Sequence, residues 1–285
     1  MRKELKFTFK TKKGELNLGT DTQWGIINYE GLEATDYDYE SRNRMNGIGA
    51  TKTGFRRQTR TITIEFETRR RQHMADKEHD RKQLIEFFNP LLGGELIILR
   101  SGTTRYINYD VSSFELIDKN LSDKTHGTIE LTCWDPDLRA AGKTQEISTF
   151  IGGWQLPFKL PVKFKEKSGT AAIIENEGSL STPLIVEFAG PAENPSITNE
   201  ETGEMIKVNS SIYEGDVLEI GTQNGNIKVL IHRSDGTEED AFNQIDYSSQ
   251  FMQLLPGVNL IRYDTENDSA PQSVYITYEE RYLGI

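Results

Sequence analysis

Residues 178–209 constrain the fold of this chain most, because short runs of strand-forming residues alternate there with turn residues. Residues 184–188 (LIVEF) are rich in β-branched and aromatic side chains, and a Gly-Pro pair follows this run closely. Residues 195–198 and 205–208 flank a polar tip that contains Gly203. Two such runs joined by a glycine-containing loop predict a β-hairpin.

The same alternation of short runs and turns continues to residue 285. Short strands at close spacing, with no helical pattern between them, predict an all-β sandwich over residues 158–285. Residues 158–164 contain a proline and therefore predict an edge strand that opens this domain. The polar, weakly patterned residues 139–157 before it are predicted to be a linker.

Residues 1–138 predict a second β domain, one that carries a single helix. Strands are predicted at residues 3–10, 24–32, 59–67, 95–99, 106–111, 114–117 and 128–132, from alternating or β-rich runs. Residues 73–88 contain neither Gly nor Pro until Asn89-Pro90 and predict the helix. Its predicted apolar face consists of Leu84, Ile85, Phe87, Phe88 and Leu91. Residues 33–58 are polar and glycine-containing, and they predict an extended, exposed arm.

The charge of the chain is unevenly distributed. The net charge is −11, and residues 139–285 supply all of it, with 11 basic against 22 acidic residues, whereas residues 1–138 carry 22 of each. Such an acidic half repels phosphate backbones and argues against nucleic-acid binding by charge alone. The single cysteine, Cys133, excludes an internal disulfide, and no run approaches the length of a membrane span.

The motifs of enzymes and metal sites are missing from the sequence. There is no HExxH and no GxSxG motif, and Gly47-Ile48-Gly49 lacks the ending of a phosphate loop. Asp36, Asp38 and Glu40 alternate like the start of a calcium loop but fail its later positions. Cys133 lies in a β-rich run, where a small buried residue is the default interpretation. We therefore expect no catalytic, cofactor-binding or metal-binding residue, and no enzyme.

A carbohydrate-binding module is the alternative function that the composition leaves open. Aromatic side chains of the second domain could stack on a sugar ring, although packing in a sandwich core explains them equally well. The candidate glycan contacts are Phe242, Tyr247 and Tyr263.

The order of segments resembles the distal tail protein family of siphophages, which is also found in prophages. The resemblance covers nearly the whole chain. Its most specific parts are residues 129–136 (IELTCWDP), where a strand closes in an Asp-Pro pair, and residues 181–208 (STPLIVEFAGPAENPSITNEETGEMIKV). Residues 254–259 (LLPGVN) and a tyrosine-rich last strand complete it.

The resemblance implies a structural protein of the virion tail tip that is assembled in the host cytoplasm. The N-terminal domain, a β-sandwich or barrel with one helix, would form a homohexameric ring with a channel for DNA. A galectin-like C-terminal sandwich would project outward. The implied partners are the tail tube protein, a tail-tip hub or tail-associated protein and a receptor-binding or adhesion protein, with neither membrane nor sequence-specific nucleic acid among them.

The subunit contacts of such a ring are expected on the arm and on the basic run at residues 69–71. The arm would reach a neighbouring subunit or the tail tube, so that deletion of residues 36–54 abolishes the ring and leaves a folded monomer. The candidate interface residues are Tyr37, Tyr39, Arg42, Arg44, Arg56, Arg57, Arg69 and Arg70.

Overall fold

Most of the chain folds as strands whose side chains are alternately buried and exposed. The computed structural model describes residues 4–45, 47–69, 74–117, 124–147, 171–266 and 273–285. These divide into two units, of which the first comprises Met1–Ala141 and Tyr282–Ile285 and the second Gly142–Arg281. The chain therefore leaves the first unit once and returns to it for its last four residues.

The described elements follow one another along the chain, beginning with those before the second unit. They are β1 (Leu5–Thr11), β2 (Gly14–Gly19), β3 (Trp24–Glu30), β4 (Tyr37–Asn43), β5 (Ala50–Arg57), β6 (Arg60–Thr68), α1 (Met74–Phe87), β7 (Gly94–Arg100), β8 (Thr103–Ile117), β9 (His126–Cys133) and β10 (Leu138–Arg139).

The remaining elements lie in the second unit, except that the last strand ends in the first. They are β11 (Lys143–Ile147), β12 (Ala171–Asn176), β13 (Leu184–Ala189), β14 (Ala192–Asn199), β15 (Met205–Lys207), β16 (Ser211–Ile212), β17 (Val217–Gly221), β18 (Lys228–His232), β19 (Glu238–Asp240), the 3-10 helix η1 (Phe242–Gln244), β20 (Gly257–Glu266), β21 (Ser273–Tyr278) and β22 (Arg281–Tyr282).

The first unit is built on a closed sheet. Its strand order is β8-β7-β1-β2-β3-β6-β9, and a further pairing of β9 with β8 closes the circle. Strand β8 makes this closure possible because its first half pairs with β7 and its second half with β9. The sequence predicts two separate strands at residues 106–111 and 114–117, whereas the structure has one strand with a register shift between Val111 and Ser113. Such a bulge lets one strand bend between two partners.

The core of the first unit consists of the inward-facing side chains of this closed sheet. Residues two apart on one strand point the same way, so Phe7 and Phe9 on β1 are both buried. The helix α1 contributes Leu84, and Phe88 just after the helix packs edge-on to Phe9 with 5.1 Å between ring centroids. The buried face is narrower than the sequence predicts, because Ile85 and Leu91 are exposed.

Part of the predicted linker is structured. Of residues 139–157, Arg139 belongs to β10 and residues 143–147 form β11, which pairs with β21. The strand hydrogen bonds of β11 give these polar residues a defined partner that their composition does not reveal. Residues 148–157, and the edge strand predicted at 158–164, lie outside the described residues.

The second unit is a sandwich of two antiparallel sheets. One has the order β11-β21-β13-β17-β18-β19, and the other has the order β12-β20-β14-β15 with β16 paired to β14. Inward-facing residues of both sheets form one hydrophobic core, which includes Val186, Phe188, Ile197 and Ile261. The predicted hairpin is confirmed as β14–β15, with Ile197 opposite Ile206. Its tip turns at Gly203, which has a φ of +74°.

Gly190 is the point where the chain changes sheets. Strand β13 lies in one sheet and β14 in the other, with Gly190-Pro191 between them. A Cβ at Gly190 would lie only 2.1 Å from the carbonyl oxygen of Tyr213, so no other residue fits without movement of the backbone. The Gly-Pro pair is therefore a corner of the sandwich.

Candidate functional site

Two surfaces among the described residues carry exposed aromatic and polar side chains that are not part of the hydrophobic cores. The first is the arm hairpin, which we define as β4, β5 and the turn between them. The second is the aromatic depression, which we define by its lining residues Asn209, Phe242, Asn243, Gln244, Ile245, Asp246, Tyr247 and Phe251.

The arm hairpin is a two-stranded antiparallel sheet that pairs with no other described strand. The register runs from Tyr37 opposite Arg57 to Asn43 opposite Ala50. Every described residue from 40 to 53 is exposed, so neither face is covered by the rest of the first unit. Isolated two-stranded hairpins are marginally stable in water. The arm hairpin therefore has the character of a segment that gains stability from a partner.

One face of the arm hairpin carries aromatic rings and a cation. The rings of Tyr37 and Tyr39 stack with centroids 6.1 Å apart, and Phe55 lies 5.9 Å from Tyr37. The Lys52 ammonium lies 4.4 Å from the centroid of Tyr39 and 4.2 Å from that of Phe55. Cation–π contacts of this kind stabilise the hairpin internally and leave the outer surface of the rings available.

The charge and the tip of the arm hairpin both differ from the rest of the chain. Residues 37–57 contain five basic and two acidic side chains, a net charge of +3 in a chain of −11. At the tip, the apolar side chains of Met45 and Ile48 are fully exposed. Exposed apolar side chains at the tip of a basic hairpin make this segment a candidate contact surface.

Two arginines anchor the base of the arm hairpin. The guanidinium of Arg57 forms a two-pronged ion pair with the buried carboxylate of Asp137, in which Nη2 lies 3.1 Å from Oδ2. Arg60 is 2% exposed and donates to the carbonyl oxygens of Gly31, Glu33, Pro136 and Leu283 over 2.6–2.7 Å. Burial lowers the pKa of the Arg60 guanidinium, and the four carbonyls compensate for its desolvation.

The sequence analysis did not predict that the charged side chains of Arg60 and Asp137 are buried and stabilise the base of the arm hairpin. The signal for Arg60 was present, because it lies two residues before Ile62 on β6 and therefore in the inward phase of the strand. A charge in that phase must find buried partners. Asp137 directly follows the Asp-Pro pair that closes a strand, and the sequence gives no sign that its carboxylate is the partner of Arg57.

The aromatic depression lies in the second unit and has a volume of about 620 Å³. Phe242 is 46% exposed, and its ring is parallel to that of Phe251 at 8° and a centroid distance of 6.2 Å. Tyr247 is fully exposed beside them. Asp246 accepts hydrogen bonds from the amide and hydroxyl of Ser248 at 2.9 and 2.6 Å, and these lower the pKa of its carboxyl.

The described residues contain no cluster of metal-ligand type, and the thiol of Cys133 is buried. No group of three or more His, Cys, Asp or Glu side chains there could hold a metal ion. Cys133 is fully buried, and burial raises the pKa of its thiol to about 12, so the thiolate is not populated near neutral pH. The helix of the described residues is neither long nor apolar enough to cross a membrane.

Comparison with known families identifies the second unit. Residues 177–282 match the family described as siphovirus-type tail component, C-terminal domain. The match covers only this part of the chain. This match confirms the resemblance to siphophage distal tail proteins.

The likeness to solved structures extends over nearly the whole chain. The SPP1 Dit protein, described as a paradigm of hub adsorption apparatus in phages that infect Gram-positive bacteria, is 13% identical, with a TM-score of 0.65 over 96% of this chain and 98% of that one. Chains of the phage P2 baseplate in its activated conformation are 10% identical, with TM-scores of 0.55 (calcium) and 0.53 (strontium) and 98% of each chain covered. Comparison with curated proteins gives no significant match. At these identities the structures show a shared fold, and the mainly β architecture with one helix is confirmed.

The structure places the predicted interface residues in three groups. Six of them lie together on the arm hairpin, namely Tyr37, Tyr39, Arg42, Arg44, Arg56 and Arg57. Arg69 lies apart from them, after the end of β6, where its guanidinium donates to the carbonyl of Gly19. Arg70 lies outside the described residues. Within the hairpin group, Arg57 is engaged by Asp137 and acts at the base rather than as a free contact.

The predicted glycan contacts also divide. Phe242 and Tyr247 both line the aromatic depression. Tyr263 is only 2% exposed and packs edge-on against Phe188 with a centroid distance of 6.3 Å. The inclusion of Tyr263 was wrong, because a ring in the sandwich core has no face available for a sugar.

Proposed function

We propose that this tail component is a non-enzymatic structural hub at the end of the tail. In this proposal six copies of the first unit form a ring, which joins the tail tube to the tip and leaves a channel through which DNA passes. The observation that carries it is the likeness to the SPP1 Dit hub protein over 96% of this chain, together with the family match of the second unit.

The arm hairpin supplies the contact that a ring needs. A ring requires a heterologous interface, in which one surface of each copy meets a different surface of the next. The arm hairpin is exposed and basic, has an apolar tip, and does not pair with the described strands of the first unit's closed sheet. We assign it as the donor surface, with an acidic, partly apolar surface of the neighbouring copy as the acceptor.

The charge of the chain suits a conduit for DNA. The net charge of −11 comes from residues 139–285, whereas residues 1–138 carry 22 basic and 22 acidic residues, so the ring-forming unit has no excess of positive charge that would retain the DNA that passes. The tail tube protein, a tail-tip or tail-associated protein and an adhesion protein are the partners that this position implies.

The decisive experiment measures the mass of the purified full chain by light scattering and images the same fraction by negative stain. It is repeated after addition of the tail tube protein from the same phage, because a neighbour in the tail can nucleate ring closure. Closed rings of six copies in either sample are the expected result. If both samples contain only monomers or open, unbounded chains, the hub proposal fails.

A further inference from the structure

The aromatic depression of the second unit is a built surface rather than a gap between loops. The backbone of its lining is pinned by hydrogen bonds from Asn209 N to Gln244 O at 2.7 Å and from Asp246 N to Lys207 O at 2.9 Å. The amide of Phe242 donates to Asp240 Oδ1 at 2.9 Å, and buried Ala241 precedes it. The hydrogen-bonded backbone therefore keeps two large aromatic side chains, Phe242 and Tyr247, exposed to solvent.

The aromatic rings of the depression have the geometry of a stacking platform. Phe251 packs against the hydrophobic core of the second unit and lies parallel to Phe242, so that the exposed ring has a supported aromatic neighbour. Tyr247 follows in a turn held by Asp246, whose carbonyl accepts from Ser249 N at 3.0 Å. A flat apolar ligand face would bury the exposed side of these rings without any rearrangement of the backbone.

The polar groups of the depression select for uncharged hydroxyls. The amide Nδ2 of Asn209 donates to Asp246 Oδ2 at 3.3 Å, while its Oδ1 and the side-chain amide of Asn243 have no partner among the described residues. Amides supply both donors and acceptors, as hydroxyl groups require. No Lys or Arg lines the depression, and its one carboxylate is already hydrogen-bonded, so recognition of an anion has no basis there.

A peptide is a poorer fit for the same lining. Binding of an extended peptide by strand addition requires free backbone donors and acceptors at a sheet edge. In the depression, the amides of Asn209, Gln244 and Asp246 are all engaged by backbone carbonyls. What is left for recognition consists of ring faces and side-chain amides.

We propose that the aromatic depression binds a neutral saccharide, with a pyranose ring stacked on Phe242, with Tyr247 as a second aromatic contact, and with hydroxyls bonded to Asn209 and Asn243. A volume of about 620 Å³ lies in the usual range of small-ligand sites and accommodates about two sugar units. This activity is separate from ring assembly, because the depression belongs to the second unit and the arm hairpin to the first.

The test is saturation-transfer-difference NMR on the full chain with lactose, cellobiose and N,N′-diacetylchitobiose, and with glycerol 3-phosphate as the anionic comparison. Signals from at least one of the neutral disaccharides at millimolar concentration are expected. Tyr247→Ala and Phe242→Ala should each weaken binding roughly three- to tenfold, the range of an aromatic stacking contact. Tyr247 is the safer variant because its side chain makes no contribution to the core.

The matched control is Tyr213→Ala, which removes another exposed tyrosine of the second unit that does not line the depression. Its binding should equal that of the unaltered protein. The proposal is overturned if none of the three neutral disaccharides gives a signal, if glycerol 3-phosphate alone does, or if Tyr213→Ala weakens binding as much as Tyr247→Ala. Ring formation by the Tyr247→Ala variant should be unchanged, so this result and that of the hub experiment are independent.

Discussion

A single buried arginine ties four segments of the first unit together. Two of the carbonyls to which Arg60 donates follow β3, and a third lies in the Asp-Pro turn after β9. The fourth belongs to Leu283, in the segment that returns to the first unit. None of these carbonyls is part of a strand pair at that point, so the guanidinium acts as a four-way link between loops.

Arg60→Met tests this link. The substitution keeps much of the apolar stem but leaves four carbonyls without their donor, so we expect the free energy of unfolding of the first unit to fall by about 3–5 kcal/mol. Urea unfolding followed through the fluorescence of buried Trp24 measures it. Arg56→Met is the control: its ion pair with Asp38 is exposed, at 3.4 Å, and should contribute less than about 1 kcal/mol. Equal effects of the two variants would contradict the assigned role.

Asp216 gives the second unit a predictable response to acid. Arg233 Nη1 lies 2.9 Å from Asp216 Oδ2, and this hydrogen bond holds the pKa of the carboxyl below its ordinary value. A depressed folded-state pKa stabilises the fold above the unfolded-state pKa, and this stabilisation is lost as the pH falls through the folded-state pKa. Asp216→Asn should therefore destabilise the protein at about pH 6 but much less at about pH 3. Chemical unfolding at both pH values measures the difference in free energy of unfolding between the variant and the unaltered protein. If this difference is as large in acid, the hydrogen bond to Arg233 is not its cause.

At the scale of the element, the arm hairpin shows how an exposed hairpin can be stable enough to form and still require a partner. Its aromatic face is internally paired through Lys52, and its base is fixed by the ion pair of Arg57 with Asp137. Its tip, with Met45 and Ile48, has nothing to pack against within the first unit. The hub proposal places those two side chains in the interface between copies.

The double variant Met45→Ser, Ile48→Ser is expected to weaken ring assembly by at least about 2 kcal/mol, since full burial of one such side chain is worth about 1.5–3 kcal/mol. The fold should not change, because both side chains are exposed in the single copy. Sedimentation velocity across a concentration series measures the shift towards the monomer. Leu91→Ser is the matched control, an exposed apolar side chain of the same unit outside the hairpin. Loss of assembly in Leu91→Ser alone would assign the interface to a different surface.

At the scale of the whole molecule, the first unit is discontinuous in sequence. Residues 282–285 belong to it, although the entire second unit separates them from residue 141. Tyr282 lies under the guanidinium of Arg105 at 3.6 Å, and Ile285 N donates to Leu32 O at 3.2 Å. Completion of the first unit therefore depends on residues made after the second.

Deletion of residues 282–285 should destabilise the first unit and spare the second. The deletion removes an acceptor of Arg60 and the stacking partner of Arg105, and we expect a loss of roughly 2 kcal/mol or more. Hydrogen exchange followed by mass spectrometry resolves the two units, with β6 exchanging faster and β13 unchanged. Faster exchange of β13, or protection of β6 that does not change, would show that these four residues are not part of the first unit's fold.

The sequence by itself determined the β-rich class, the single helix and most strand positions, because side chains two apart share a face and this period is local. It also determined the β14–β15 hairpin, whose turn chemistry lies within a few residues. The exposed state of residues 40–53 followed from their polarity, but not their pairing into a hairpin.

Only the tertiary structure decided which distant residues meet. The closure of the sheet through β8, the membership of residues 143–147 in β21's sheet and the partners of Arg60 all join segments far apart in sequence. The tertiary structure also decided which aromatic side chains are buried: Tyr263 lies in the core, whereas Phe242 and Tyr247 lie at the surface. The sequence alone does not separate the buried from the exposed aromatic residues. Whether a side chain is buried depends on the strands that pack against its own strand, and these come from the whole chain.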